Sequence, residues 1–156
     1  MKPMKRAISA FVFLVVLLTG CRLDPNYIPP DFFVDYDVPE WETVDSVIVT
    51  SQFSEYDRNV EKITLTVINN TGDDIYTDDH FSFQKKQDGE WREVAGRGIF
   101  NLQVIIYPTS SSHTHTVTLK DRIKLPLPAG EYRAGIIFSI GTEEKNYVSY
   151  AEFTVK

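Results

Sequence analysis

The sequence predicts an all-β chain whose main body is an antiparallel β-sandwich of about seven to eight strands. Three observations carry that expectation. From about Val44 onward, no stretch keeps a helical apolar period over three turns. Short runs rich in Val, Ile, Thr, Tyr and Phe recur instead, separated by turn residues. In Leu127-Pro128-Ala129-Gly130-Glu131-Tyr132, a Pro and a Gly set a sharp corner with a tyrosine at the start of the strand that follows. The 156 residues are 42% hydrophobic and 13% aromatic, enough for one domain with a core and some additional sequence. The same composition excludes a wholly disordered chain.

The chain opens with a different kind of segment. Lys2, Lys5 and Arg6 precede an unbroken apolar run from Ala10 to Leu18. A basic stretch followed by a short apolar core reads as a secretory signal over residues 1–20. The run is shorter than the roughly 20 apolar residues a membrane span needs. It leads into Leu18-Thr19-Gly20-Cys21, which holds the single cysteine of the chain. These four residues resemble the lipobox of bacterial lipoproteins. The resemblance implies cleavage before Cys21, lipidation of its sulfur, and a membrane anchor in which acyl groups on Cys21 enter the lipid bilayer. One acyl chain holds weakly and two or more hold durably, at roughly 0.8 kcal/mol per buried methylene. The competing reading is an ordinary signal peptide, or an uncleaved anchor, with a coincidental cysteine. Arg22 stands where some diderm bacteria place an inner-membrane retention Asp. The expected location is the cell envelope, facing outside the cytoplasm.

Sixteen basic residues against 22 acidic give a net charge of −6. Removal of Lys2, Lys5 and Arg6 with the signal leaves 13 against 22, a charge of −9. Such a balance argues against a duplex nucleic-acid binder, which needs a basic surplus on one face. It also predicts a surface that stands off from anionic lipid. Residues 21–43 form the lipidated cysteine and a Pro/Asp-rich linker. Pro25, Pro29, Pro30 and Pro39 oppose helix and central strand, and six acids between Asp24 and Glu42 favour extension. Tyr27, Phe32, Phe33 and Tyr36 leave three fates open for this stalk: docking on its own domain, docking on a partner, or solvation.

The domain occupies residues 44–156. Its first predicted strand is Val44–Phe53. The second, Val60–Ile68, puts Ile63, Leu65 and Val67 on one face and ends at Asn69-Asn70-Thr71-Gly72, a strong turn signal. His80–Lys85 places Phe81 and Phe83 together, and Gln87-Asp88-Gly89 turns the chain into Glu90–Ala95 with Trp91 on the return strand. Phe100–Tyr107 and His113–Leu119 follow. Glu131–Ile140 and Tyr147–Val155, joined by a polar turn, complete the set.

Over roughly residues 44–156 these motifs resemble the Ig-like β-sandwich domains of bacterial extracellular proteins. The resemblance rests on Ile63 through Asn70, on Phe81 through Lys86 with Asp88-Gly89-Glu90-Trp91, and on Leu127 through Arg133. It implies an Ig-like sandwich held by packing alone, since a single cysteine cannot form the disulfide of antibody domains. A sandwich of this kind hosts many unrelated functions.

The chemistry-bearing residues are few. Ser110, Ser111 and Ser112 precede His113 and His115, but no G-x-S-x-G elbow occurs, and the stretch reads as a serine-rich loop leading into a strand. His113 and His115, two apart in a strand, project to one face and could chelate Zn²⁺ or Cu²⁺ with further ligands. They share the face of Val117 and Leu119, so the preferred reading is histidines at the rim of the core. Asp73, Asp74, Asp78 and Asp79 read as a solvated loop, with weak Ca²⁺ binding as the alternative. Lys85, Lys86, Arg92 and Arg97 gather around the hairpin as a polar edge or as a patch for an acidic partner. Leu102, Val104 and Ile106 alternate with Gln103, Ile105 and Tyr107, and Ile137 breaks a polar face, so these strands need cover on both sides, with the chain's own stalk or a neighbouring strand preferred over a partner. No catalytic, cofactor-binding or metal residues are assigned, and no cofactor is expected.

The expected function is a non-catalytic, membrane-anchored extracytoplasmic lipoprotein that binds an envelope protein or presents a surface. Two alternatives stand beside it. One is an inhibitory or protective lipoprotein that blocks an extracellular hydrolase with a sandwich loop. The other is a small enzyme or metal carrier using His113 and His115.

Overall fold

A computed structural model describes residues 24–96 and 103–156. The signal segment, Cys21, Arg22, Arg97 and Leu102 lie outside the described residues. Among the described residues, ten strands form two sheets. The two-residue β1 (Glu42–Thr43) and β3 (Glu55–Tyr56) flank β2 (Val47–Ser51). Then come β4 (Lys62–Asn69), β5 (Ile75–Gln87), β6 (Glu90–Glu93) and β7 (Ile105–Tyr107). The last three are β8 (Ser111–Thr118), β9 (Gly130–Ile140) and β10 (Asn146–Val155).

The smaller sheet runs β2-β4-β8 and the larger β1-β10-β9-β5-β6. Two long strands of the larger sheet each serve two short neighbours. Strand β5 pairs with β7 at Ile75–Thr77 and with β6 at Gln84–Gln87. Strand β10 pairs with β1 near Tyr147 and with β3 near Val155. These last two ladders are parallel, and every other ladder is antiparallel. The strand count exceeds the sequence reading because β1 and β3 are too short to show a period.

The alternation in β4 sets the core. Ile63, Leu65 and Val67 are buried from one face, beside Val49 of β2 and Val117 of β8. Opposite them the larger sheet contributes Phe83, Tyr132, Ile136, Phe138 and Phe153. Full burial of one such side chain contributes roughly 1.5–3 kcal/mol. The corner at Leu127–Tyr132 forms as expected: the Tyr132 hydroxyl donates to the Pro128 carbonyl at 2.7 Å, and the residue is fully buried.

The Asp88-Gly89 turn carries positive φ at both residues, 54° and 88°, the geometry that a two-residue hairpin demands. A Cβ on Gly89 would meet nothing within 4 Å. Gly89→Ala therefore costs only the backbone preference, about 1 kcal/mol, measurable as a shift in urea midpoint with unchanged slope.

One segment differs from the sequence reading. Strand β5 begins at Ile75, so Asp78 and Asp79 lie within a strand where a loop was expected. Ile75 and Thr77 are buried while Tyr76 is exposed, a strand alternation that the flanking aspartates mask in the sequence. Pairing with β9 slips between Thr77 and Phe81, so the acidic residues occupy an irregularity. Of the three fates its aromatics left open, the linker takes the first and lies along the domain. Phe32 is buried in the core and Phe33 bridges Val94 just beyond β6. Backbone bonds from Val34 to Glu93 and from Ala95 to Phe32 extend that contact, covering an edge that β6 would otherwise present to solvent. Tyr27 and Tyr36 remain exposed.

Candidate functional site

The residues singled out from sequence do not converge on one centre. Cys21 lies outside the described residues. On β8, exposure falls stepwise from His113 through His115 to the buried Val117, the rim placement expected. His113 packs at a tilt against Tyr107, with ring centres 5.3 Å apart, and His115 Nε2 sits 3.9 Å from Asp79. Among the described residues no three His, Cys, Asp or Glu side chains gather as a metal site. The four aspartates separate as well. Asp74 accepts from the Thr109 backbone, while Asp79 pairs with Arg122 across the edge between the sheets.

Burial pushes the His115 imidazole below its ordinary value of 6.5, with Asp79 opposing that shift and Arg122 adding to it. The unfolded chain thus binds this proton more readily than the folded one, so the site stabilises above about pH 6.5 and loses that contribution as pH falls. Thermal melts of His115→Gln and of the native chain should converge on acidification below pH 6.5, the native chain losing more.

The hairpin cations also split, because neighbours in a strand face opposite ways. Lys85 is buried with its ammonium 5.4 Å from the Tyr132 ring centre, and burial lowers its pKa. Lys86 points out to Glu131 at 2.8 Å. Arg92 lies over Phe33 at 4.3 Å. A single basic patch therefore does not form among the described residues.

What the fold does assemble is a groove on the outer face of the larger sheet. Residues 34–41 of the linker run beside this face as a strap. One end is apolar, about 540 Å³, lined by Val38, Trp41, Tyr76, Val104 and Ile137. Val104 and Ile106 are 65% and 51% exposed, so among the described residues the chain does not supply the cover expected for the second apolar face of this stretch. The other end is polar, about 650 Å³, with Gln84, Trp91, Glu93, Arg133 and Tyr150 on its floor. Both ends share Tyr36, Val38, Pro39, Trp41 and Glu93, so they form one continuous depression. Each end by itself falls in the size range of ligand sites.

The polar floor is tightly organised. The Arg133 guanidinium lies 3.8 Å from the Tyr150 ring centre and 4.6 Å from that of Trp91, and its Nε donates to Gln84 at 2.7 Å. Glu93 accepts from the Ser82 hydroxyl, the Phe83 backbone and the Gln84 amide. Burial lowers the Arg133 pKa, against the favourable pull of Tyr150, Glu152 and Glu93. Gly135 makes room for this stack, since a Cβ there would come within 2.5 Å of the Tyr150 ring. Sequence reading did not single out Trp41, Arg133 or Tyr150 for a site. The available signal was their spacing: Arg133, Gly135 and Ile137 alternate with the core residues Tyr132, Ala134 and Ile136.

Comparison with known proteins bears on the fold. No curated protein matches the chain by sequence. Among solved structures, the Northeast Structural Genomics Consortium target SoR45 is similar at 14% identity, covering 70% of this chain and 85% of that one with a TM-score of 0.41. A β-glucosidase, EmGH1 from Erythrobacter marinus, is similar at 11% identity over 70% of this chain, with a TM-score of 0.36. The matched part is 15% of that enzyme's length. A family model of the bacterial Ig-like domain matches residues 43–154. That match spans both sheets from β1 almost to the end of β10, and with the two-sheet architecture it settles the family: the chain belongs to the bacterial Ig-like domains.

Proposed function

We propose that this protein is a non-catalytic lipoprotein, anchored in the cell envelope through acyl groups on Cys21, that binds a partner protein by the outer face of its larger sheet. The observation that supports the binding face is the uncovered apolar end of the groove, where Tyr76, Val104 and Ile137 stand beside the strap. Exposed apolar surface next to a depression marks contact sites on soluble domains. Confinement to a membrane raises the effective concentration of the domain for a partner in the same layer, so even a modest contact is populated.

Two experiments test the two halves of this reading. A photoreactive side chain at Tyr76 in the full chain, expressed in bacteria, should yield one discrete crosslinked adduct, and the same group at Ile48 on the smaller sheet should not. Adducts from Ile48 alone would overturn the assigned face. For the anchor, Cys21→Ser should abolish processing and membrane retention. An unchanged mass and unchanged retention would remove the lipoprotein reading.

A further inference from the structure

The groove is an acidic channel with an apolar end. Asp35, Asp37 and Glu40 of the strap and Glu93 of β6 line its polar end, and Asp78 lines the apolar end. Only Arg92 and Arg133 stand against them. Both guanidiniums are already engaged within the domain. Arg133 is stacked on Tyr150 and Trp91 and feels the pull of Glu93 and of Glu152, its neighbour across the ladder. Arg92 lies over Phe33. Glu93 is engaged too, accepting from Ser82, Phe83 and Gln84. The three strap carboxylates are exposed and make no hydrogen bond or ion pair among the described residues. The groove therefore presents negative charge beside the exposed Tyr76 and Val104. We propose that it takes an extended segment of the partner in which a lysine or arginine adjoins a large apolar residue, the cation facing the strap carboxylates and the apolar side chain in the apolar end. The proposal rests on the partner-binding reading above and names the chemistry the partner presents.

Other occupants match this lining less well. Five carboxylates against two guanidiniums repel nucleic acid, anionic headgroups and acidic peptides alike. A small free cation would satisfy the strap and leave the apolar end empty. The strap backbone, in turn, is open to an extended chain. It is pinned at Val34, whose N–H donates to Glu93, and at Thr43, which pairs with Val148. Between those points, residues 35–41 make no backbone hydrogen bond among the described residues. Main-chain groups left free in this way are what an added extended segment uses.

Full-length protein in nonionic detergent is titrated with capped serine pentapeptides whose central leucine is flanked by two lysines, two glutamates or two serines. Binding is read from the two tryptophans of the chain, Trp41 and Trp91, which both line the polar end. The lysine peptide should shift their fluorescence saturably, with an affinity at least about tenfold above that of the serine peptide. The glutamate peptide should give no shift. Asp37→Asn with Glu40→Gln should lower lysine-peptide affinity by a similar factor at an unchanged melting temperature. Asp57→Asn with Asp121→Asn removes the same charge from exposed residues outside the groove and should leave that affinity unchanged. A glutamate or serine peptide that binds as well as the lysine one would overturn the proposal. So would native affinity in the strap variant, or an equal loss in the variant outside the groove. The same shift from spermidine at equal concentration would mark a small-cation site and overturn it too. Silence with all three peptides would remove the cationic segment, while crosslinking at Tyr76 separately decides the partner reading.

Discussion

Asn69→Asp is expected to destabilise the domain by about 3 kcal/mol or more at neutral pH, although it changes a single atom. Asn69 ends β4 and is fully buried. Its side-chain nitrogen donates to the carbonyls of Asp73, Tyr107 and Pro108 at 2.9, 2.9 and 3.1 Å. Its oxygen accepts from the Thr71 backbone and hydroxyl at 2.9 and 2.7 Å. One amide thus ties the end of the smaller sheet to β7 of the larger and closes the turn after β4. A carboxylate in that place would turn an acceptor toward three acceptors. The folded state would hold the new carboxyl protonated more readily than the unfolded state, so part of the loss should return as pH falls. Asn69→Ala should cost less than Asn69→Asp at pH 7, because an empty space repels nothing. Urea unfolding of both variants at pH 7 and pH 4.5 checks the order. An Asp variant within about 1 kcal/mol of the native chain would show that the turn is held by other contacts.

Tyr132 should separate packing from hydrogen bonding at the corner. Its ring lies nearly parallel to Phe153 at 6.2 Å and close to Phe83 at 5.5 Å, with the Lys85 ammonium over it. Tyr132→Ala removes this contact set and should cost about 3–5 kcal/mol. Tyr132→Phe keeps the ring and strands the Pro128 carbonyl, for about 1–2 kcal/mol. Burial raises the phenol pKa above its ordinary value, so the hydroxyl is a proton donor at neutral pH. If the two variants lose the same amount in calorimetry, the hydroxyl rather than the ring organises the corner.

Where sequence reading succeeded, the deciding physics was local. Ile63, Leu65 and Val67 face the core because side chains alternate in any strand. Asp88-Gly89 turns because only certain residues accept positive φ at low cost. The Pro and Gly of the corner act within a few bonds of Tyr132. The failures fall where partners are distant in the chain. Thr43 pairs with Val148 and Phe33 with Val94, and no local pattern announces a ladder of two residues. The docked linker was legible in part: its prolines and acids read as a stalk, its aromatics raised docking on the domain, and burial of Phe32 decided between the two. Lys85 reads as surface from its charge, yet strand alternation places it against Tyr132. The groove was hardest to foresee because Trp41, Trp91, Arg133 and Tyr150 come from four separate segments. Each looks unremarkable on its own strand or strap, and only the pairing of β6, β5, β9 and β10, with the strap laid beside them, brings them together.

The docked linker also limits how far the domain can travel. Its first contact is at Pro25, whose carbonyl accepts from the Ala129 backbone at 2.9 Å. On the lipid anchor proposed at Cys21, the four residue steps to Pro25 would span at most about 14 Å at full extension. The docked part of the linker would then add nothing to the domain's reach. The acidic domain would be held within one or two screening lengths of the headgroups, each about 8 Å at physiological salt. Its orientation would become a matter of mutual repulsion between two negative surfaces, and its search for partners would be confined to a thin slab parallel to the bilayer.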